Sequence, residues 1–225
     1  MTTADIYPGD LEEVPMKLVK YWFQRYDLFS RFDEGVWIDE EGWYSVTPEA
    51  IAKDTAERCK CDIIIDAFCG VGGNSIQFAK TCNKVIAIDI NKQRLDCAKH
   101  NAEIYGVADK IEFIHGDFME LIPQLKADAV FLSPPWGGPE YADCEVFDLE
   151  TMIPMNGLHL YNETRKITEN IAYFLPRHCD PDLIGKLDPA HIVEIEQNYL
   201  SSALKSITAY FGKLAVASAN LPDTE

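Results

Sequence analysis

The stretch "DIIIDAFCGVGGNS", Asp62 to Ser75, sets three isoleucines between two aspartates and follows them with three glycines in four positions. A β-branched run bounded by polar residues predicts a strand covered on both faces. The glycines after it allow a tight turn and let the backbone approach a ligand with no Cβ in the way. Asn74 then predicts a helix start, because asparagine is a favoured cap. Strand, glycine loop and helix make the first half of a βαβ unit.

The unit repeats downstream. "KVIAIDI" (84–90), "KIEFIHGD" (110–117) and "DAVFLS" (128–133) are near-continuous apolar runs, with helices predicted to begin near Asn91 and Asp117. This alternation predicts an α/β fold, a Rossmann-like doubly wound sheet that is mostly parallel and takes its ligand at the carboxyl ends of the strands. "IAYFL" (171–175), "IVEIEQNYL" (192–200) and "KSITAYF" (205–211) supply further strands. The last two lie too close together for a crossover helix and predict an antiparallel hairpin at the sheet edge.

Upstream the composition changes. Nine of the 24 residues from Tyr21 to Tyr44 are aromatic, against 11% for the whole chain, and Pro15 marks a helix start. We expect a helical N-terminal extension over residues 1–45 folded across the sheet domain (46–215), its aromatics docking it as core, and a C-terminal tail at 216–225. Removing the extension is expected to abolish activity even where the sheet domain survives.

Bulk numbers exclude several classes. With 20 basic and 37 acidic residues, a net charge of −17, the chain is a poor candidate for gripping long nucleic acid by its phosphates. Any nucleic-acid partner must be held at a small local site. No apolar run nears the ~18–20 residues of a membrane span, and the start lacks a signal peptide's pattern, so a soluble intracellular protein with no membrane partner is expected. The seven cysteines are scattered, and Cys59-Lys60-Cys61 lacks metal-site spacing, so no metal is expected.

The strand ends carry the chemistry. Asp66 closes the first strand, and Asp89 closes the second 23 residues later, where a carboxylate takes ribose hydroxyls of an adenosine. Asp117 ends the third, where its side chain or the next backbone amide reaches adenine. The loop has neither the Lys-Ser/Thr of a triphosphate site nor the GxGxxG of dinucleotide enzymes. Together, from Thr47 to Trp136, these features resemble the class I S-adenosylmethionine-dependent methyltransferases. The resemblance implies S-adenosylmethionine as cofactor, with the glycine loop (Cys69, Gly70, Gly72) under its methionine part. It puts Asp66 at the sulfonium end or the amino group. Thr47 reads as a helix cap with Pro48 in the first turn; similar Thr-Pro segments in amino-methyltransferases approach the cofactor carboxylate, and both readings stand.

At the end of the fourth strand, Ser133-Pro134-Pro135-Trp136 combines a hydroxyl, two φ-fixing residues without N–H donors, and an indole. A stiff backbone there aims the carbonyls of Ser133 and Pro134 inward. Such acceptors suit a planar exocyclic amine, and the aromatic ring suits its flat base. The tetrapeptide resembles the (N/D/S)PP(Y/F/W) motif of methyltransferases acting on planar nitrogens. With "SPPWGGPEY", "DAFCGVGGNSIQFA", "FDEGVWIDEEGWYSVTPE" and "ITAYFG", the chain resembles the catalytic domain of the trimethylguanosine synthases.

That family methylates the 2-amino group of the 7-methylguanosine cap on small nuclear and nucleolar RNAs, so the resemblance implies capped RNA as partner and residence in nucleus and cytoplasm. It makes Trp136 the platform for the cationic base, sets Ser133 at the base edge, and turns Lys17, Tyr141, Arg177 and Lys205 to the cap triphosphate. Transfer would be an in-line attack of N2, resting on orientation and desolvation without a strong base. Of the five histidines only His115 falls in a motif segment, and the thiol of Cys69 reads as packing. Two other readings use the same residues: an N2-guanine or N6-adenine methyltransferase of other RNA or DNA, which the acidic charge disfavours, and a noncatalytic cap-binding module, which the complete glycine loop, Asp89 and Ser133 disfavour.

Overall fold

A computed structural model of the chain describes residues 14–137, 147–151 and 155–215. Its centre is a seven-stranded sheet: β1 (Ile63–Asp66), β2 (Lys84–Asp89), β3 (Ile111–His115), β4 (Ala129–Leu132), β5 (Ile171–Pro176), β6 (Glu194–Leu200) and β7 (Ala203–Tyr210), in the order β3-β2-β1-β4-β5-β7-β6. The first five strands run parallel, while β7 is antiparallel to both β5 and β6. The expected edge hairpin is therefore present. β1 pairs with β2 on one side and β4 on the other, so the strand order reverses there and opens a crevice at the carboxyl ends.

The sheet is apolar on both faces because alternate side chains feed two separate cores. Ile64, Val85, Ala87, Phe131 and Phe174 point to one, Ile65, Ile88, Val130, Leu132 and Tyr173 to the other. Around them lie α1 (Val19–Trp22), α2 (Arg25–Leu28) and α3 (Gly42–Ser45) of the extension, then α4 (Glu49–Arg58), α5 (Gly73–Thr81), α6 (Lys92–Ile104), α7 (Phe118–Leu121) and α8 (Gly157–Thr164). Among the described residues no helix is long and apolar enough to cross a membrane.

Two helix starts differ from the sequence reading. α5 begins at Gly73 with Gly72 as its cap, so Asn74 sits inside the first turn. Gly72 holds φ +91°, and a Cβ there would come within 3.0 Å of Ala98 on α6, so both backbone conformation and close helix approach require glycine. α4 begins after Pro48, with no side chain capping it. Thr47 is thus not its cap; its Oγ1 instead accepts a hydrogen bond from Asn74 Nδ2 at 2.9 Å. Asn91 and Asp117 do cap α6 and α7, accepting from the amides of Gln93 and Met119.

The extension is built into the first core. Leu18, Leu28, Phe29, Phe32, Val36, Ile38 and Trp43 are all buried with the sheet residues of that face. Polar anchors add to this. The fully buried Asn101 of α6 accepts from the Trp37 amide at 2.8 Å and donates to the carbonyls of Trp37 and Val71, both at 2.9 Å, so one side chain ties the extension to the glycine loop. Glu49 accepts from the Ser30 amide and the Tyr105 hydroxyl. Burial works against its charge, but Lys53 and these donors outweigh that and hold its pKa at about 2.

Candidate active site

At the crevice lies a cavity of about 230 Å³, walled by the glycine loop, the ends of β2 and β4, and the extension. Cys69, Gly70, Asp89, Asp117, Thr47, Ser133, Pro134 and Trp136 all line it. The fold thus brings together eight of the residues singled out from sequence.

Asp89 organises the floor. Its Oδ2 accepts from the Gly70 amide at 2.8 Å and its Oδ1 from the Asn91 amide at 2.7 Å, joining the loop to the start of α6. Burial raises its pKa above the usual carboxylate value, against the pull of those two amides. Gly70 has φ +54°, and a Cβ built on it would meet no protein atom within 4 Å. Asp117 lines the cavity while its Oδ1 caps α7.

Asp66 is placed differently. It is fully buried and absent from the cavity wall, with Oδ2 accepting from Ser75 Oγ at 2.6 Å and Oδ1 without a partner. Burial, reinforced by the charge of Asp89, pushes its pKa up to about 7 against the Ser75 hydrogen bond. Cys69 is also buried, which pushes its thiol well above the usual value and makes it inert at neutral pH.

Ser133 follows β4, and its hydroxyl makes a long 3.4 Å bond to the carbonyl of Phe68. Trp136 stacks on Phe174 with centroids 5.4 Å apart and planes 22° from parallel. Phe174 in turn touches Phe131 (6.1 Å) and Phe131 touches Phe78 (5.2 Å), so the indole ends an aromatic column rooted in the core.

The remaining described candidates, Gly72 among them, lie apart from the cavity wall. Lys17 is exposed and paired with Glu40. Arg177 is exposed, its Nε donating to His178 at 3.1 Å. Lys205 lies within β7. The register pairs Pro176 with Ser206, which puts Arg177 and Lys205 at the same end of the sheet as the cavity. Pro48 starts α4 beside Thr47, outside the wall. Tyr141 lies outside the described residues.

Sequence reading missed Arg94, Asn74, Tyr44 and Phe174, all of which line the cavity. Arg94 Nε bonds Asp39 at 3.0 Å and Nη2 bonds Glu41, so an α6 residue at the cavity holds two carboxylates of the extension. Nothing local marks Arg94, since only the fold brings it opposite Asp39. Asn74 Oδ1 is buried without a partner.

Residues 61–216 match the model of the family described as RNA cap guanine-N2 methyltransferase. A trimethylguanosine synthase of Schizosaccharomyces pombe is 43% identical over 209 residues, covering 88% of this chain and 87% of that protein. One of Saccharomyces cerevisiae is 40% identical over 182 residues, covering 76% of this chain and 58% of that protein. A crystal structure of a Porphyromonas gingivalis W83 protein assigned as a methyltransferase superposes with a TM-score of 0.69 at 15% identity, over 90% of this chain and 52% of the other, which shows the shared fold. Fold and family imply an S-adenosylmethionine-type methyl donor, and the site suits one: the open space over Gly70, the two-handed Asp89 and the orphan acceptor of Asn74 are the features such a ligand uses. With the glycine loop, Asp89 and Ser-Pro-Pro-Trp converging on one crevice, this chain belongs to the RNA cap guanine-N2 methyltransferase family.

Proposed function

We propose that this protein methylates the exocyclic 2-amino group of the 7-methylguanosine cap on small nuclear and nucleolar RNAs, yielding the 2,2,7-trimethylated cap, and that it acts in nucleus and cytoplasm. The observation that carries the reading is that Ser133 and Trp136 line the same cavity as the glycine loop and Asp89. Bound S-adenosylmethionine supplies an electrophilic methyl group on a sulfonium. Asp89 would hold its ribose, Cys69, Gly70 and Gly72 would underlie its methionine part, and Asp117 would face its adenine. Ser133, whose hydroxyl hydrogen is directed to Phe68, keeps its oxygen lone pairs for the N–H groups of the base edge. Trp136 offers the cationic base a ring held in place from below, and the family resemblance gives the triphosphate to Lys17, Tyr141, Arg177 and Lys205. The methylated amine is acidic enough after transfer to release its proton to water, so the residues have only to orient and desolvate the nitrogen.

Incubation with labelled S-adenosylmethionine and, in turn, m7GTP, GTP and uncapped RNA tests the reading. Label should enter m7GTP alone, and transfer to GTP or to internal RNA positions with equal efficiency would replace it. A second expected result concerns Asp89→Ala. Losing the ribose acceptor and freeing the Gly70 amide should weaken cofactor binding at least about tenfold, roughly 1.4 kcal/mol. Calorimetric titration returning the parent affinity would discard that role.

A further inference from the structure

On this acidic chain, residues 14–31 carry a local excess of positive charge. They hold Lys17, Lys20, Arg25 and Arg31 against Asp27 alone, 4 − 1 = +3 within a total of −17. The same stretch exposes Met16, Phe23 and Tyr26, the last two 65% and 47% accessible. Charge and ring are interleaved along α1 (Val19–Trp22) and α2 (Arg25–Leu28). Lys20 Nζ lies 4.6 Å from the Tyr21 centroid. The guanidinium of Arg25 sits 3.6 Å from the Trp22 ring and 4.3 Å from that of Tyr26, and Phe23 meets Trp22 edge-on at 5.5 Å.

Lys17 and Arg31 are neutralised by Glu40 and Glu34. Among the described residues no carboxylate lies within ion-pair distance of Lys20 or Arg25. Arg25 spends two donors on the Trp22 carbonyl and the Tyr26 hydroxyl, which itself donates to Asp33 Oδ2 at 2.8 Å, leaving others of its five for a ligand. The stretch also begins at the cavity mouth: the Tyr21 ring lies 6.3 Å from that of Tyr44, which lines the cavity. Cations without a direct carboxylate partner, set among exposed and half-buried rings and leading away from an RNA-cap site, form the combination that holds single-stranded nucleic acid: phosphates on the charges, bases on the rings.

We propose that the surface formed by Lys20, Trp22, Phe23, Arg25 and Tyr26 binds the single-stranded nucleotides that follow the cap. This rests on the cap reading above. It also reconciles the acidic chain with an RNA substrate, because the electrostatic grip is local and short.

The test compares steady-state kinetics on the cap dinucleotide m7GpppG and on a capped single-stranded 12-nucleotide RNA, using the full chain. At low salt the capped RNA should show a KM about tenfold or more below that of the dinucleotide, an advantage that shrinks as salt rises. Phe23→Ala combined with Arg25→Ala should bring the RNA KM up to the dinucleotide value, leaving kcat and the dinucleotide KM as in the parent. Lys20→Glu, a change at a solvent-exposed position, asks the same while leaving the Trp22–Arg25–Tyr26 stack in place, and should also flatten the salt dependence. Equal KM values for the two parent substrates would overturn the proposal. So would variants that shift both substrates alike, or an RNA advantage that survives them, as it would if the surface served a protein partner. Failure to methylate either substrate would instead overturn the cap reading, and this proposal with it.

Discussion

A chain lacking residues 1–45 is expected to show neither methyl transfer nor a cooperative thermal transition. The extension buries Leu18, Leu28, Phe29, Phe32, Val36, Ile38 and Trp43 in the same core as β1, β2 and β4. At roughly 1.5–3 kcal/mol for each buried large apolar side chain, their loss matches or exceeds the ~5–15 kcal/mol by which a domain of this size is stable. It would also strip one face of a sheet that needs cover on both. The structure thus narrows the expectation drawn from sequence: the extension is needed for activity, and the sheet domain is not expected to survive its removal. A milder variant keeps the functional half of the claim testable. Arg94→Ala leaves the core intact but unties Asp39 and Glu41 from α6 beside the cavity. It should raise the cofactor KM about tenfold, the scale of losing charge-assisted hydrogen bonds, with Tm nearly unchanged. A truncated chain that unfolds cooperatively and turns over at the parent rate would sink the first expectation. An Arg94→Ala enzyme with parent kinetics would show that the extension's carboxylates do not shape the site.

What was legible in sequence follows from where the signal is local. The isoleucine run before the glycines fixes β1, the loop and α5 because strand burial and positive φ act over a few residues, and Asp89, Ser133 and Trp136 inherit their places from strand ends. Arg94 could not be found that way: its function depends on Asp39, 55 positions earlier, arriving opposite it. Phe174 is hidden for another reason, since within "IAYFL" a ring that stacks under Trp136 at the cavity reads like any core residue. Thr47 shows local logic misleading. A threonine before Pro48 has the right type for a cap, yet its hydroxyl turns to Asn74, a tertiary partner that no spacing rule names.

Replacing Trp136 by alanine should remove nearly all preference for m7GTP over GTP. The two nucleotides carry the same triphosphate and differ in a methyl group that makes the base cationic, so their affinity ratio isolates what the protein does with the charged ring. A cation over indole is worth about 0.5–2 kcal/mol, which corresponds to a preference of roughly two- to thirtyfold. On the proposed reading nothing else in the site supplies it, because the glycine loop and Asp89 are assigned to the cofactor. Trp136→Phe should keep part of the preference: a smaller ring with a weaker quadrupole can still rest on Phe174 at the head of the aromatic column. Ser133→Ala should separate from both, leaving the m7GTP preference and lowering kcat more than it raises KM, because its hydroxyl orients the amine and the ring is held elsewhere. The order expected in binding is therefore parent, then phenylalanine, then alanine at position 136, with the serine variant near the parent. An alanine enzyme that still prefers m7GTP as strongly as the parent would place recognition of the methylated base away from Trp136. It would then leave the Phe78–Phe131–Phe174 column as ordinary core packing.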